Sequence, residues 1–219
     1  MKSIFRLTCV ILVSISIYYA KGNAQNLLEN PELDKKVQAF LDKNEGNWHD
    51  LNVPLEDGKK LYELIIKNRY KAALEIGTST GYSSIWIAWA LSKTGGKLIT
   101  IEINRERHQK AINNFKEAGL LPYIDARLAD AHQLVKELKG PFDFVFSDAD
   151  KNWYLQYFKD IEPKLMDNSC YVSHNVSEKK YVPTPSSYLQ YLQKLAGYQT
   201  TIFDEGAGMS ITFKKKEVK

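Results

Sequence analysis

Five short clusters in this chain carry residue types that could do chemistry. The first is Glu75-Ile76-Gly77-Thr78-Ser79-Thr80-Gly81-Tyr82-Ser83, with glycines four apart. Glycine lets a backbone turn sharply and approach a ligand closely, and the start of the helix that follows offers unpaired N–H groups suited to a carboxylate or a phosphate. The run lacks the Lys-Ser/Thr ending of a phosphate-cradling ATPase loop. It also lacks the tighter glycine spacing of a dinucleotide fingerprint, which argues against a nicotinamide cofactor. By itself a Gly-x-x-x-Gly turn is also what a plain strand-to-helix corner needs. Glu102 and Asp130 follow, each at the end of an apolar run, where a carboxylate can accept ribose hydroxyls or border a base. Asp148-Ala149-Asp150-Lys151 and His174-Asn175 complete the set, with a carboxylate, an amine, an imidazole and an amide.

The elements that position these groups alternate regularly. Short apolar runs at 72–77, 97–102, 124–129, 142–147, 170–173, 200–203 and 209–213 read as strands. Helical spacing of apolar residues appears at 82–91, 105–118, 131–138, 153–165 and 185–195. A helical preface covers 25–50 and a second helix 54–68, with Pro54 suited to its first turn. Strands alternating with helices predict an α/β, Rossmann-like, doubly wound sheet of seven strands, mostly parallel. The connection at 204–208 is too short for a crossover, so the last two strands should pair antiparallel. In such a sheet ligands bind beyond the carboxyl ends of the strands, where all five clusters fall.

Bulk properties bound the partners. At 219 residues the chain fits one domain behind a short N-terminal segment. Lys2 and Arg6, an uncharged apolar run at 7–20, and Gly22-Asn23-Ala24 have the order of an export signal cleaved after Ala24. As a helix that run spans about 21 Å against roughly 30 Å of hydrocarbon, so a stable membrane span is the weaker reading and an uncleaved anchor the alternative. The expected organisation is therefore a signal at 1–24 and a domain at 25–219 that is periplasmic or secreted. Without Lys2, Arg6 and Lys21 the net charge falls from +4 to +1, which demands no nucleic-acid partner. Lys214-Lys215-Lys216 reads as a solvated end. Of the two cysteines, Cys9 lies in the signal, so Cys170 has no intrachain partner and no paired-cysteine zinc site can form.

Residues 73–83, the strand end at 99–104 and Asp148-Ala149-Asp150-Lys151 together resemble the small cation-dependent O-methyltransferases, the family of the catechol and caffeoyl-CoA enzymes. The resemblance covers roughly residues 50–215 and implies the class I methyltransferase fold with S-adenosylmethionine as cofactor. It implies that Asn52 and Val53 hold the methionine part by backbone contacts, and that Glu75, Gly77 and Tyr82 shape the pocket. Ser83 would meet the cofactor carboxylate, Glu102 the ribose, and Asp130 and Ala131 the adenine. His132 would line that pocket or lie on the surface. Asp148 would approach both the cofactor amino group and a divalent cation, and Lys151 would act as base or be an ordinary solvated lysine. A homodimer and a small-molecule hydroxyl acceptor, phenolic or catecholic, are further implications.

One position departs from the pattern. The family holds its cation with two aspartates and an asparagine, whereas this chain offers Asp148, His174 and Asn175. Magnesium prefers oxygen ligands, while manganese, iron or zinc tolerate imidazole. Three readings stay open: a metal site, a metal-free His174 serving as base or orienting the substrate, and a structural His174 in an exported protein that binds a nucleoside without catalysis. Trp48, His49, Trp153 and Tyr154, with the loop at 181–185, are candidates for a lid and an aromatic acceptor pocket.

Overall fold

The computed structural model describes residues 26–176 and 186–216. The proposed signal at 1–24 and the loop at 181–185 lie outside them. Seven strands form one sheet: β1 (Ala72–Ile76), β2 (Lys97–Glu102), β3 (Ile124–Leu128), β4 (Phe142–Ser147), β5 (Leu165–His174), β6 (Tyr198–Phe203) and β7 (Met209–Lys214). Their order is β3-β2-β1-β4-β5-β7-β6, and β7 runs opposite to the other six. This is the doubly wound, mostly parallel α/β architecture the alternation predicts. The chain winds outward from β1 in both directions, so a crevice opens between the carboxyl ends of β1 and β4.

Helices α1 (Pro31–Lys43), α2 (Leu55–Asn68), α3 (Tyr82–Thr94) and α4 (Arg105–Ala118) share one apolar core. Helices α5 (Ala131–Glu137), α6 (Tyr154–Ile161) and α7 (Ser186–Lys194) share a second, on the opposite face of the sheet. Burial on both faces explains why β1 and β4 read as near-continuous apolar runs. Helix α3 is buried almost all round, because it is wedged between the sheet and α2. Edge strand β6 instead alternates, with Gln199, Thr201 and Ile202 exposed. Among the described residues no helix is long and apolar enough to cross a membrane.

Several boundaries differ from the sequence reading, three of them for a clear local reason. The helix expected at 153–165 ends at Ile161, because Pro163 has no N–H to continue the ladder, and a 3-10 turn at Glu162–Lys164 leads into β5. Strand β5 begins five residues before the expected 170, carrying an irregularity at Asn168, whose φ is 61°. Its stretch Met166-Asp167-Asn168 is exposed, and Asp167-Asn168 resembles a loop in sequence. Pro54 caps α2 rather than entering its first turn.

Candidate active site

Gly77 follows β1 with φ of 100°, and its N–H donates to the Ile101 carbonyl at 3.1 Å. A Cβ at Gly77 would press on the Asp148 carbonyl at 2.9 Å, so the loop after β4 can pass this close only to glycine. Gly81, with φ of 95°, caps α3, and a Cβ there would collide with the Phe115 ring. The two glycines therefore serve a tight corner and a close approach between the β1 and β4 ends. Beyond them lies a cavity of about 370 Å³, walled by Gly77, Thr78, Ser79, Ser83, Glu102, Asp130, Ala131 and Asp148 among others. That volume suits a small ligand.

Glu102 is the most fully positioned group in the wall. Its Oε2 accepts from the Ser79 N–H at 2.7 Å and its Oε1 from the Asn104 N–H at 2.8 Å. Each oxygen keeps a lone pair, and the side chain is only 7% exposed. A vicinal diol matches that fork. Asp130 caps α5, its Oδ1 accepting from the His132 N–H at 2.9 Å, so its carboxylate is partly spent on structure. His132 lines the cavity. Its ring stacks on Trp153 with centroids 4.0 Å apart, and its nitrogens lie 3.4 and 3.5 Å from Asp130 and Asp150. The side chain is 28% exposed, so this histidine lies at the cavity and keeps one side toward the surface.

Several predicted residues stand behind the wall rather than in it. Val53 packs in the core, and Asn52 accepts from the Thr80 hydroxyl at 3.1 Å, while Leu51 takes the place on the cavity. Tyr82 packs against Trp48 at 4.7 Å between ring centroids. Tyr154 is fully buried and donates to the His174 carbonyl at 3.0 Å, so it lines no aromatic pocket. The sequence reading missed Ile103 and Arg107. Ile103 is an apolar side chain 70% exposed at the cavity mouth. Arg107 pairs with Asp50 at 2.9 Å, while the Ser79 hydroxyl donates to the Asp50 carbonyl at 2.5 Å. These contacts strap the segment before α2 across the opening.

Glu75 is fully buried one layer below, accepting hydrogen bonds from the Ser83, Ser84 and Thr100 hydroxyls. Burial pushes its carboxyl up to about 7 despite those donors. A raised acid favours folding in its protonated form, so its contribution is complete below the ordinary value of 4.5 and is lost as pH rises through about 7. Glu75→Gln should flatten that dependence. Relative to the variant, the native chain should lose on the order of 3 kcal/mol of unfolding free energy between pH 4.5 and 8. Urea unfolding at both pH values measures it, and parallel profiles for the two proteins would show the assignment wrong.

Under the β4 and β5 ends lies a row of charges. Lys151 is ion-paired with Asp148 and donates to the Tyr154 hydroxyl at 2.9 Å. His174 Nδ1 lies 3.1 Å from Asp148 Oδ2, close enough for ion pairing though poorly aligned for a hydrogen bond, and its Nε2 is 2.9 Å from Asp57 Oδ2. Burial opposes protonation of the imidazole, but Asp148 and Asp57 outweigh it and raise His174 to about 9. Burial likewise would raise Asp148, yet His174 and Lys151 hold it below the usual carboxylate range. Asp57 was not among the expected site residues. Its signal was an acid on the face of α2 that also carries Leu61, Leu64 and Ile65.

The divalent cation implied by the resemblance does not fit this donor set. Both ring nitrogens of His174 are already directed at carboxylates, Nδ1 lying 3.1 Å from Asp148 Oδ2 and Nε2 2.9 Å from Asp57 Oδ2, so neither is turned toward an ion. Asp148 already faces Lys151 with one oxygen and His174 with the other. Among the described residues no cluster of three or more His, Cys, Asp or Glu is arranged to hold an ion.

The fold and the crevice define a class I methyltransferase architecture, with a backbone-held carboxylate ending β2 beside the turn after β1. The O-methyltransferase family model matches residues 24–175, and the chain belongs to that family. Over 113 residues it is 42% identical to a catechol O-methyltransferase of Niastella koreensis, covering 50% of this chain and 51% of that one. Over 134 residues it is 34% identical to caffeoyl-CoA O-methyltransferase 1 of Eucalyptus globulus, covering 59% and 53%. The chain thus spans about half the length of the curated relatives it matches. Its fold is similar to the O-methyltransferase TomG from Streptomyces achromogenes in complex with SAM. The TM-score is 0.69 at 27% identity, with 87% of this chain and 92% of that one covered. The O-methyltransferase from Bacillus cereus in complex with SAH shares the fold at a TM-score of 0.67 and 24% identity, covering 86% and 92%.

Proposed function

We propose that this chain transfers a methyl group from S-adenosylmethionine to a hydroxyl of a small phenolic or catecholic molecule. The observation that carries the reading is the Glu102 carboxylate, aimed into the cavity by two backbone amides at the end of β2. Bound S-adenosylmethionine supplies an electrophilic methyl group on a sulfonium sulfur. Glu102 orients the ribose through its hydroxyls, and the free N–H groups at the start of α3, beside Ser83, suit the carboxylate of the methionine part. Asp148 faces its ammonium group. Holding the acceptor oxygen in line with the methyl carbon supplies much of the rate. Lys151 is the base in this reading: having first given a proton to water, its amine takes the hydroxyl proton and so restores the ion pair with Asp148. The carbon–sulfur bond breaks as the carbon–oxygen bond forms.

The acceptor class is supported by the names of the catechol and caffeoyl-CoA relatives. Export is part of the proposal too, and is supported by the composition of residues 1–24. A protein that binds a nucleoside without catalysis has no specific observation in its favour, since Asp148 lines the cavity and Lys151 is ion-paired with it. Calorimetric titration of S-adenosylmethionine and S-adenosylhomocysteine into the purified protein tests the reading. One site per chain at micromolar strength is expected, and a folded sample that binds neither would end it.

A further inference from the structure

Asp57, His174, Asp148 and Lys151 alternate in charge along one row, and the four side chains are 0%, 4%, 13% and 20% exposed. They come from α2, the end of β5 and the loop after β4. The turn between β6 and β7 closes behind them: the Ala207 N–H donates to Asp57 Oδ2 at 2.8 Å. A Cβ at Gly206 would fall on the Asp57 carboxylate, so the turn is fitted to that acid. Two buried carboxylates facing one another are unfavourable unless a positive group lies between them. Here the imidazole ring is that group. It is covalently part of the chain and comes with its own counterion, Asp57.

We infer that this row replaces a divalent cation, so that the site works without metal and takes an acceptor presenting a single hydroxyl. The inference rests on the methyl-transfer reading of the same site. A chelated diol needs an ion with two open coordination positions. His174 has none to offer, because each ring nitrogen already faces a carboxylate. Lys151 has one direction left after Asp148 and the Tyr154 hydroxyl, enough for one oxygen. A monohydroxy phenol satisfies the row, and the second oxygen of a catechol finds no partner in it.

Manganese binding to the full-length protein, followed by electron paramagnetic resonance, is the direct test. The native chain should bind no stoichiometric Mn²⁺ below about 1 mM, and EDTA should leave its S-adenosylmethionine affinity unchanged within about twofold. His174→Asp removes the internal cation and leaves carboxylates around the gap, so Mn²⁺ affinity should rise by at least roughly tenfold. One Mn²⁺ per native chain, abolished by Asp148→Asn, would overturn the inference, as would a folded His174→Asp variant with no gain. Should that variant not fold, the native titration still decides. With monohydroxy and vicinal dihydroxy phenols compared in EDTA, turnover of the former is expected, and turnover restricted to the latter with added metal overturns the idea. Failure to bind S-adenosylmethionine at all would count against methyl transfer, while the manganese titration would still decide whether the row stands in for a metal.

Discussion

Exchanging Glu102 for alanine will weaken S-adenosylmethionine binding by at least about 100-fold, since two hydrogen bonds to a charged group contribute roughly 1.5–3 kcal/mol each. The size of the effect follows from how the carboxylate is held. Ser79 and Asn104 fix its orientation with backbone N–H groups before any ligand arrives, so little ordering remains to be done on binding. Glu102→Gln keeps the volume and one acceptor and should lose only about tenfold. Calorimetry on both variants, with circular dichroism to verify the fold, gives the comparison. Equal affinity of native chain and alanine variant would remove Glu102 from the ribose site and with it the support for the cofactor.

The second large effect concerns stability rather than binding. His174→Ala will destabilise the fold by about 3–5 kcal/mol, the range for removing one partner of a buried charge pair. The variant leaves Asp57, which is fully buried, and Asp148 facing across a void with no cation between them. Asp57→Asn together with His174→Ala should recover part of the loss, because the stranded charge goes too. Urea denaturation of the single and double variants measures this coupling. Additive losses would mean that the two residues do not act as a pair.

Much of the architecture is legible in the sequence, and the reason differs by element. Strands β1 and β4 are recognisable because both faces are covered, which forces an apolar run with little interruption. Gly77 and Gly81 stand out because only glycine tolerates those dihedrals at those approaches. Glu102 is legible as an acid ending an apolar strand. The wall of the cavity is less so. Whether Leu51 or Asn52 faces inward depends on the rotation of one loop, and nothing local sets it. Ile103 was invisible because an exposed isoleucine has no pattern of its own. The pairing of Asp57 with His174 joins residues 117 positions apart, so no window of sequence contains it. What could have been noticed is a carboxylate placed among the core-facing residues of α2, a position that calls for a partner.

That long-range pairing also bears on the order in which the molecule can be assembled. Asp57 joins His174 across 117 positions and Ala207 across 150, so the closing contact waits for a segment near the far end of the chain. Closing such large loops is entropically expensive and comes late in folding. A nascent chain can form β1, the glycine turn and the Glu102 fork early, from residues that lie close together. The charged row, by contrast, is complete only when the β6–β7 turn has been made and has docked. The Glu102 fork is therefore closed over short loops and the charged row over long ones.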